Sequence, residues 1–247
     1  MTVAAIVPTY REATHAPAVV SGLLDHGVDS VVVVDDSPRD RTARAVREAT
    51  PQADVAIIRR SDGDGLASAV LDGFAHAHAD AGTYLVCDGD GQHPPAAAAA
   101  IGRAVDHDDL DLLVGSRHTP NGSVDAAWSM HRRIISLGAD YLARLAVPPA
   151  RQLTDPMSGL FAVDAAVVAS VRDQLRPSGY KIILELLARA PIEAVGEVGY
   201  EFQTSASDSN LDRGEYLRYL RHLGRLSWPA RRERLVDRVE VGREVSE

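Results

Sequence analysis

The chain has 247 residues, of which 45% are hydrophobic and 25% charged, and a net charge of −9. This composition is that of a globular protein with a sizeable core, and the acidic balance argues against a general nucleic-acid binder. The single cysteine, Cys87, excludes a disulfide framework and a cysteine-rich zinc site. No apolar run reaches the roughly 20 residues that span a bilayer, and Met1 leads directly into a strand pattern, so we expect a cytoplasmic protein.

Short apolar runs alternate with segments of helical spacing through the first half of the chain. The runs predict strands over 3–7, 30–34, 54–58, 83–87 and 110–115, and the segments between them predict helices over 13–26, 39–50, 66–79 and 94–107. Because these strands lack polar alternation and are separated by helices, they predict a parallel sheet covered on both faces. The expected fold is therefore α/β and Rossmann-like, with a mostly parallel sheet flanked by helices.

The second half of the chain is less regular. Its spacing predicts an amphipathic helix over 130–146, a strand over 159–163, a short helix over 182–190, a strand over 194–202 and a helix over 215–226. No internal repeat or linker divides the sequence. We therefore expect one domain over residues 1–211, followed by an amphipathic, basic helical segment and tail over residues 212–247.

Polar side chains follow several of the predicted strands. Glu12 follows the first strand, Asp36 the second, Asp88 and Asp90 the fourth, and Arg117 the fifth. In an α/β sheet, ligands bind outside the carboxyl ends of the strands. We therefore expect these side chains to open onto one edge of the sheet.

The two acids after the fourth strand are the sharpest feature of the sequence. Carboxylates at positions i and i+2 of extended backbone, here Asp88 and Asp90, point to one side and can share a hard cation. Gly89 lets the backbone approach a ligand, and Gln92 adds a neutral oxygen. Asp88, Asp90 and Gln92 therefore predict a Mg²⁺ or Mn²⁺ site, and the alternative is an Asp-Gly turn without a metal. His93 could touch the metal or a substrate, or be structural.

Three other residues allow both a functional and a structural interpretation. Asp36 could accept a hydrogen bond from a nucleobase or ribose, or Asp36 or Ser37 could cap the helix that follows. Glu12 could contact a substrate, or it could place a charge in the first turn of a helix. Lys181 is the only lysine and could be catalytic, or it could form a salt bridge with Glu185.

Eight motifs in order over residues 3 to 211 resemble those of family 2 glycosyltransferases of the GT-A fold. The resemblance is to the branch of dolichyl-phosphate mannosyltransferases and polyprenol-monophosphate glycosyl synthases. The motifs are VPTYRE (7–12), VDDSPRDRT (34–42), GLASA (65–69), DGDGQHPP (88–95), GSR (115–117), RR (132–133), DPMSGLF (155–161) and GYKIILE (179–185).

The resemblance implies a metal-dependent, inverting transfer of a hexose from a nucleotide-diphosphate sugar, GDP-mannose or UDP-glucose, to a polyprenyl (dolichyl) phosphate. It assigns catalytic roles to Asp90, Arg117, Arg132 and Arg133, of which the arginines would face phosphates. It assigns nucleotide-sugar binding to Pro8, Tyr10, Glu12, Val34, Asp36, Asp88, Gly89, Asp90 and Arg117. The alternatives are a family 2 transferase with a non-lipid acceptor and a non-catalytic homologue that binds nucleotide sugars.

The sequence departs from this family in the loop after residue 202. Ser205 stands where the family has an arginine, and Asn210 stands where it has a lysine. Two cations expected near the diphosphate are therefore missing. The loop can still donate hydrogen bonds to phosphate, but it cannot neutralise its charge.

The segment over 212–234 is basic although the whole chain is acidic. It carries seven arginines and three acids, a local net charge of +4, interleaved with leucine and aromatic residues. This pattern suits a helix in an anionic membrane interface, and the alternative is a helix packed on the domain with its arginines in solvent. A lipid-linked acceptor favours peripheral attachment at the inner face of the cell membrane or a membrane partner.

Overall fold

The computed structural model describes residues 1–61, 65–124, 130–176, 181–203, 213–227 and 236–241. The strands are β1 (Thr2–Thr9), β2 (Ser30–Asp35), β3 (Val55–Arg59), β4 (Ala81–Val86), β5 (Leu112–Ser116), β6 (Ser123–Val124), β7 (Phe161–Asp164), β8 (Ala194–Gly199), β9 (Glu201–Phe202) and β10 (Asp237–Glu240). The α-helices are α1 (Ala16–Asp25), α2 (Arg41–Ala49), α3 (Leu66–His76), α4 (Pro95–His107), α5 (Met130–Ala146), α6 (Ala165–Val171), α7 (Ile182–Arg189) and α8 (Arg213–Leu226).

Eight of the strands form one twisted sheet in the order β10-β8-β5-β7-β4-β1-β2-β3. β7 runs antiparallel to both of its neighbours, and the other neighbouring pairs are parallel. The short strands β6 and β9 pair beside the main sheet. The predicted mostly parallel sheet flanked by helices is therefore confirmed.

The central strands are apolar on both faces because helices cover both faces. Ile6, Val32 and Val34 pack in one hydrophobic cluster, into which α3 inserts Phe74. The alternate residues of the same strands pack in a second cluster with α1 and α4. Side chains of a strand alternate between the two faces, so uninterrupted valine and isoleucine runs fit a sheet buried on both sides.

The second half contains the departures from the predicted elements. The strand predicted over 194–202 is divided at Tyr200 into β8 and β9, and each half pairs with a different partner. β10 was not predicted, because four residues of mixed polarity carry no periodic signal. It pairs with β8 at the edge of the main sheet. The division into a domain over 1–211 and a segment over 212–247 stays a prediction.

The C-terminal helix α8 packs on the domain through part of its surface. Tyr219, Leu223 and Leu226 are buried, and the Tyr219 hydroxyl donates to the carbonyl oxygen of Ala139 in α5 at 2.7 Å. Leu220 on the same helix is 50% exposed. Within the residues that the structure describes, no helix is both long enough and apolar enough to cross a membrane.

Two helical glycines offer a matched test of the packing. A Cβ on Gly73 would lie 2.2 Å from Cγ2 of Ile6, whereas a Cβ on Gly138 would meet no described atom within 4 Å. We predict that Gly73→Ala lowers the free energy of unfolding by about 1–3 kcal/mol because it separates α3 from β1. We expect Gly138→Ala to raise it by about 0.5–1 kcal/mol through helix propensity. Urea denaturation measures both, and equal effects of the two variants would contradict this account of the α3–β1 contact.

Candidate active site at the carboxyl edge of the sheet

The parallel strands end together at one edge of the sheet. The register pairs Thr9 at the end of β1 with Asp35 at the end of β2, and Ser116 at the end of β5 with Gly199 at the end of β8. β4 ends at Val86 on the other side of β1. The loops that follow β1, β2, β4 and β5 carry most of the residues predicted for the site.

The loop after β4 holds Asp88 and Asp90 against the end of β1. The backbone N–H of Gly89 donates to the carbonyl oxygen of Pro8 at 3.3 Å. A Cβ on Gly89 would lie 2.5 Å from Cγ2 of Thr9. A side chain therefore does not fit between the two acids, and the glycine allows this close approach of two chain segments.

The two acids influence each other's protonation. Burial raises the pKa of Asp90 to about 6, and the charge of Asp88 adds to the rise, while the N–H of Gln92, which donates to Asp90 Oδ1 at 2.9 Å, opposes it. Burial also acts to raise the pKa of Asp88, but the hydrogen bond and charge of His93, together with the charges of Lys181 and Arg117, outweigh it, so the pKa of Asp88 is lowered. Two carboxylates whose charges act on each other in this way are suited to share one divalent cation.

His93 is a buried neighbour of Asp88. Its Nε2 lies 3.5 Å from Asp88 Oδ2, and its Nδ1 lies 3.0 Å from the hydroxyl of Tyr200. Burial raises the pKa of Tyr200, which keeps the phenol protonated. A Cβ on Gly159 would come within 2.7 Å of Asp88 Oδ2, so the loop before β7 also packs against this carboxylate. These contacts favour the structural interpretation of His93, which holds Asp88 in place.

Asp36 forms a forked ion pair with Arg60, which the sequence did not suggest. Arg60 Nε donates to Asp36 Oδ1 at 2.6 Å and Nη2 donates to Oδ2 at 2.5 Å. Arg60 Nη1 donates to Asp72 in α3 at 2.9 Å. Because a fork fixes both oxygens of a carboxylate, Asp36 is held in one orientation beside the end of β2.

The structural alternative for the residues after β2 is wrong. α2 begins at Arg41 and has Asp40 at its N-cap, so neither Asp36 nor Ser37 caps it. Ser37 instead accepts a hydrogen bond from the backbone N–H of Arg11 at 2.7 Å, and its own N–H donates to Asp35 Oδ1 at 3.0 Å. These bonds tie the loop after β2 to the loop after β1.

The loop after β1 exposes one aromatic ring and holds one acid. Tyr10 is 55% exposed, and the guanidinium of Arg11 lies 5.0 Å from its ring centroid. Glu12 Oε2 lies 3.0 Å from Nδ1 of His15. Because α1 begins at Ala16, Glu12 precedes the first turn, and the alternative that it is a first-turn charge is wrong.

Pro8 and Val34 lie opposite each other in the paired strands β1 and β2. Both are buried in the sheet. Their side chains therefore serve the core, and a nucleotide at this edge would meet the backbone at these positions rather than the side chains.

Arg117 is paired with Asp155 across two segments that meet only in the folded chain. Arg117 Nε donates to Asp155 Oδ2 at 2.7 Å, Nη2 donates to Oδ1 at 2.8 Å, and the backbone N–H donates to Oδ2 at 3.1 Å. Burial acts to raise the pKa of Asp155, but Arg117 outweighs it, so the pKa lies below its usual value. The guanidinium also lies 5.5 Å from the ring centroid of Phe202. Its predicted role toward phosphate stays a prediction.

Glu197 in β8 holds the backbone on the other side of Asp155. It accepts hydrogen bonds from the N–H groups of Thr154, at 2.7 and 2.8 Å, and of Asp155, at 2.9 Å. Arg238 in β10 donates to Glu197 Oε2 at 3.2 Å. Asp155 is therefore positioned by a strand that the motifs did not single out.

Lys181 lies near Asp88 at the start of α7. Its Nζ donates to the carbonyl oxygen of Met157 at 2.6 Å, and burial lowers its pKa. Glu185, the partner considered in the sequence, pairs with Arg189 instead. Lys181 and Asp88 line a cleft whose other walls include Leu66, Phe161 and Ile182.

Some predicted site residues lie outside the described residues. Arg132 and Arg133 fall in the first turn of α5, and their side chains are not described. Ser205 and Asn210 fall in 204–212, which is also outside. Their predicted roles stay predictions.

The buried ion pair after β5 provides a stability test. We predict that Asp155→Ala lowers the free energy of unfolding by about 3–5 kcal/mol, because Arg117 is left buried without its carboxylate. Glu48→Gln is the matched control, since Glu48 is 73% exposed and pairs with Arg44 on the surface of α2, and we expect a change below about 0.5 kcal/mol. Urea denaturation measures both. A small loss in Asp155→Ala would show that the pair does not hold the loop before β7.

The mostly parallel sheet flanked by helices is the GT-A fold of glycosyltransferases. A solved structure with this fold is glucosyl-3-phosphoglycerate synthase from Mycobacterium tuberculosis, in complex with Mn²⁺, uridine diphosphate and phosphoglyceric acid. It matches with a TM-score of 0.58 and 18% identity, over 92% of this chain and 74% of that chain. This likeness concerns the fold.

The family follows from sequence comparison. The model of glycosyl transferase family 2 matches residues 4–184. A dolichol-phosphate mannosyltransferase from Pyrococcus furiosus is 36% identical over 248 residues, 98% of this chain and 68% of that protein. One from Saccharomyces cerevisiae is 36% identical over 205 residues, 79% of this chain and 73% of that protein. The chain belongs to glycosyl transferase family 2 and is a glycosyltransferase, so the resemblance inferred from the motifs is confirmed.

Proposed function

We propose that this glycosyltransferase moves a hexose from a nucleotide-diphosphate sugar, GDP-mannose or UDP-glucose, to a polyprenyl phosphate, with inversion and with a divalent cation. The names of the archaeal and yeast relatives support the acceptor class. The observation that carries the proposal is the pair of acids after β4, where burial and then the charge of Asp88 raise the pKa of Asp90. Such a pair is costly to ionise without a cation and suits a site that works on diphosphates.

Asp88, Asp90 and Gln92 would hold the cation, Mg²⁺ or Mn²⁺. Their fit rests on the two interacting carboxylates and on Gly89, whose lack of a side chain brings the loop against the end of β1. Oxygen ligands of this kind suit hard divalent cations. A cation bound there would supply Lewis-acid stabilisation of the negative charge on the departing diphosphate.

The nucleoside would bind across the ends of β1 and β2. The exposed ring of Tyr10 and the carboxylates of Glu12 and Asp36 lie in the two loops that Ser37 ties together. The fork from Arg60 fixes Asp36 in one orientation, which suits an acceptor of hydrogen bonds from a base or ribose.

The acceptor phosphate would lie on the β5 side of the acids. Arg117, and Arg132 or Arg133 at the start of α5, supply guanidinium groups, which suit phosphate. A phosphate monoester is already largely ionised near neutral pH, since its second pKa is about 6. The nucleophile therefore needs little deprotonation, and the proposal assigns no general base.

A lipid-linked acceptor lies in a membrane, so the enzyme would have to contact a membrane surface. An exposed apolar face of α5 is suited to this contact. Leu137, Tyr141 and Leu145 are 56%, 65% and 62% exposed and recur every four residues, so they share one face of the helix. α8 packs beside α5 and exposes Leu220 and Arg221. An apolar face flanked by arginine suits peripheral attachment to an anionic membrane.

The second candidate is a non-catalytic homologue that binds nucleotide sugars. Ser205 and Asn210, in place of two family cations, favour it. Lys181 and Arg117 oppose it, because both lie close enough to Asp88 for their charges to lower its pKa. The described part of the site thus keeps positive charge beside the acids.

We predict that Asp90→Ala lowers the turnover number by at least about 100-fold, because metal stabilisation of the transition state is worth several kcal/mol. The measurement uses Mn²⁺, radiolabelled GDP-mannose or UDP-glucose, and polyprenyl phosphate, with label in the organic phase as the readout. Asp80→Ala is the matched control, since Asp80 is exposed and precedes β4 at the opposite edge of the sheet.

The outcomes of this assay separate the candidates. Organic-phase label in the wild type supports the proposed transfer to a lipid. Hydrolysis of the donor, or transfer of the label to a different acceptor, supports a family 2 transferase with a non-lipid acceptor. Metal-dependent donor binding without turnover supports the non-catalytic homologue. Equal rates of Asp90→Ala and wild type would show that Asp90 does not hold a metal ion needed for turnover.

We also predict that the double variant Leu137→Gln, Leu145→Gln partitions at least about tenfold more weakly to anionic vesicles, because burying even one leucine is worth about 1.5 kcal/mol. The double variant Leu137→Met, Leu145→Met keeps the face apolar and should partition like the wild type. Flotation of the detergent-free protein with phosphatidylglycerol vesicles measures this. Recovery of the wild type only in the soluble fraction would count against membrane attachment through α5.

A further inference from the structure

Three side chains from separate elements converge beside the Arg117–Asp155 pair. His118 follows β5, Asp140 lies in the middle of α5, and Asp155 lies in the loop before β7. One ligand atom from each lies within 4.8 Å of those from the other two. We call these three residues the His118 cluster. Neither the motifs nor the proposed transfer reaction gives it a role.

Asp140 is the unusual member of the cluster. It is fully buried, and neither of its carboxylate oxygens has a hydrogen-bond partner among the described residues. Nε2 of His118 is also buried without a hydrogen bond in that part of the chain, and it lies 3.4 Å from Asp140 Oδ2. A buried carboxylate whose oxygens accept no hydrogen bond is unfavourable, so a cation bound between these atoms would stabilise it.

Asp155 can contribute a ligand although Arg117 already binds it. Arg117 donates once to Oδ1 and twice to Oδ2. A carboxylate offers about four acceptor positions, so one remains on Oδ1. The charge of Asp140 acts on the cations of Arg117 and Lys181. Neither donates a hydrogen bond to its carboxylate, so its oxygens stay available to an ion.

The spacing of the cluster fits coordination by a small metal ion. Two ligands bound at about 2.1 Å in tetrahedral geometry lie about 3.4 Å apart. The distance between His118 Nε2 and Asp140 Oδ2 is 3.4 Å. The His118 side chain is 23% exposed while that of Asp140 is 1% exposed, so an ion can enter past the imidazole and finish against the buried acid.

We propose that His118, Asp140 and Asp155 bind a divalent transition-metal ion at a site separate from the acids after β4. One imidazole and two carboxylates favour Zn²⁺, Co²⁺ or Mn²⁺ over Mg²⁺, which prefers oxygen ligands and retains its waters. The ion compensates the charge of Asp140 and links β5, α5 and the loop before β7. This proposal does not rest on the proposed function, since it concerns metal binding without donor or acceptor.

The test uses the full chain, without an affinity tag or nucleotide, and Co²⁺ or Zn²⁺ alone. The double variant Asp88→Asn, Asp90→Asn removes the acids after β4 and should still bind one equivalent, with visible Co²⁺ absorption that Zn²⁺ displaces. Adding Asp140→Asn or His118→Gln to that variant should weaken binding by at least about tenfold, since even partners of ligands change affinity by 10–100-fold.

Thermal unfolding gives a second readout that does not depend on activity. Zn²⁺ should raise the unfolding temperature of the double variant, and this shift should vanish when His118→Gln is added. His118 lies at the partly exposed end of the cluster. The His118→Gln variant should therefore fold even if the Asp140→Asn variant does not. Loss of all binding in the Asp88→Asn, Asp90→Asn variant, or unchanged binding in the His118→Gln variant, would overturn the proposal and leave His118 and Asp140 as an ion pair.

Discussion

The forked ion pair between Arg117 and Asp155 holds the β5 side of the site together. Asp155 takes three hydrogen bonds from Arg117, and Glu197 fixes the Thr154–Asp155 backbone from β8. The charges are buried, so each group is stable only while its partner is present. The loop before β7, which also brings Gly159 against Asp88, therefore depends on an interaction located at the ends of β5 and β8.

The site combines acids of unequal character. The pKa of Asp88 is lowered by His93, with further contributions from Lys181 and Arg117, whereas that of Asp90 is raised by burial and by Asp88. The neighbours of Asp88 thus favour its charged form. A bound cation would stabilise the charged form of Asp90, which burial and Asp88 disfavour. Lys181 and Arg117 place positive charge close to Asp88.

The sequence predicted what depends on local pattern and could not predict what depends on distant contacts. The valine run of β2 predicted the sheet, because burial on both faces makes consecutive residues apolar. The Asp88–Asp90 loop predicted a candidate site at the carboxyl edge of that sheet. Arg60 with Asp36, Glu197 with Asp155, and the convergence of His118 with Asp140 join residues far apart in the chain. No spacing rule connects such pairs, and each of those side chains looks like an ordinary surface charge until the fold is known.

The position of β10 has a consequence for the order in which the molecule is completed during synthesis. β10 closes the edge of the sheet by pairing with β8, and it brings Arg238 to Glu197. When the ribosome has released β1 to β8, that edge still presents unpaired backbone groups, which can recruit a strand from another chain. Until residues 237–240 emerge, the nascent chain therefore exposes the edge of β8 in addition to the edge of β3.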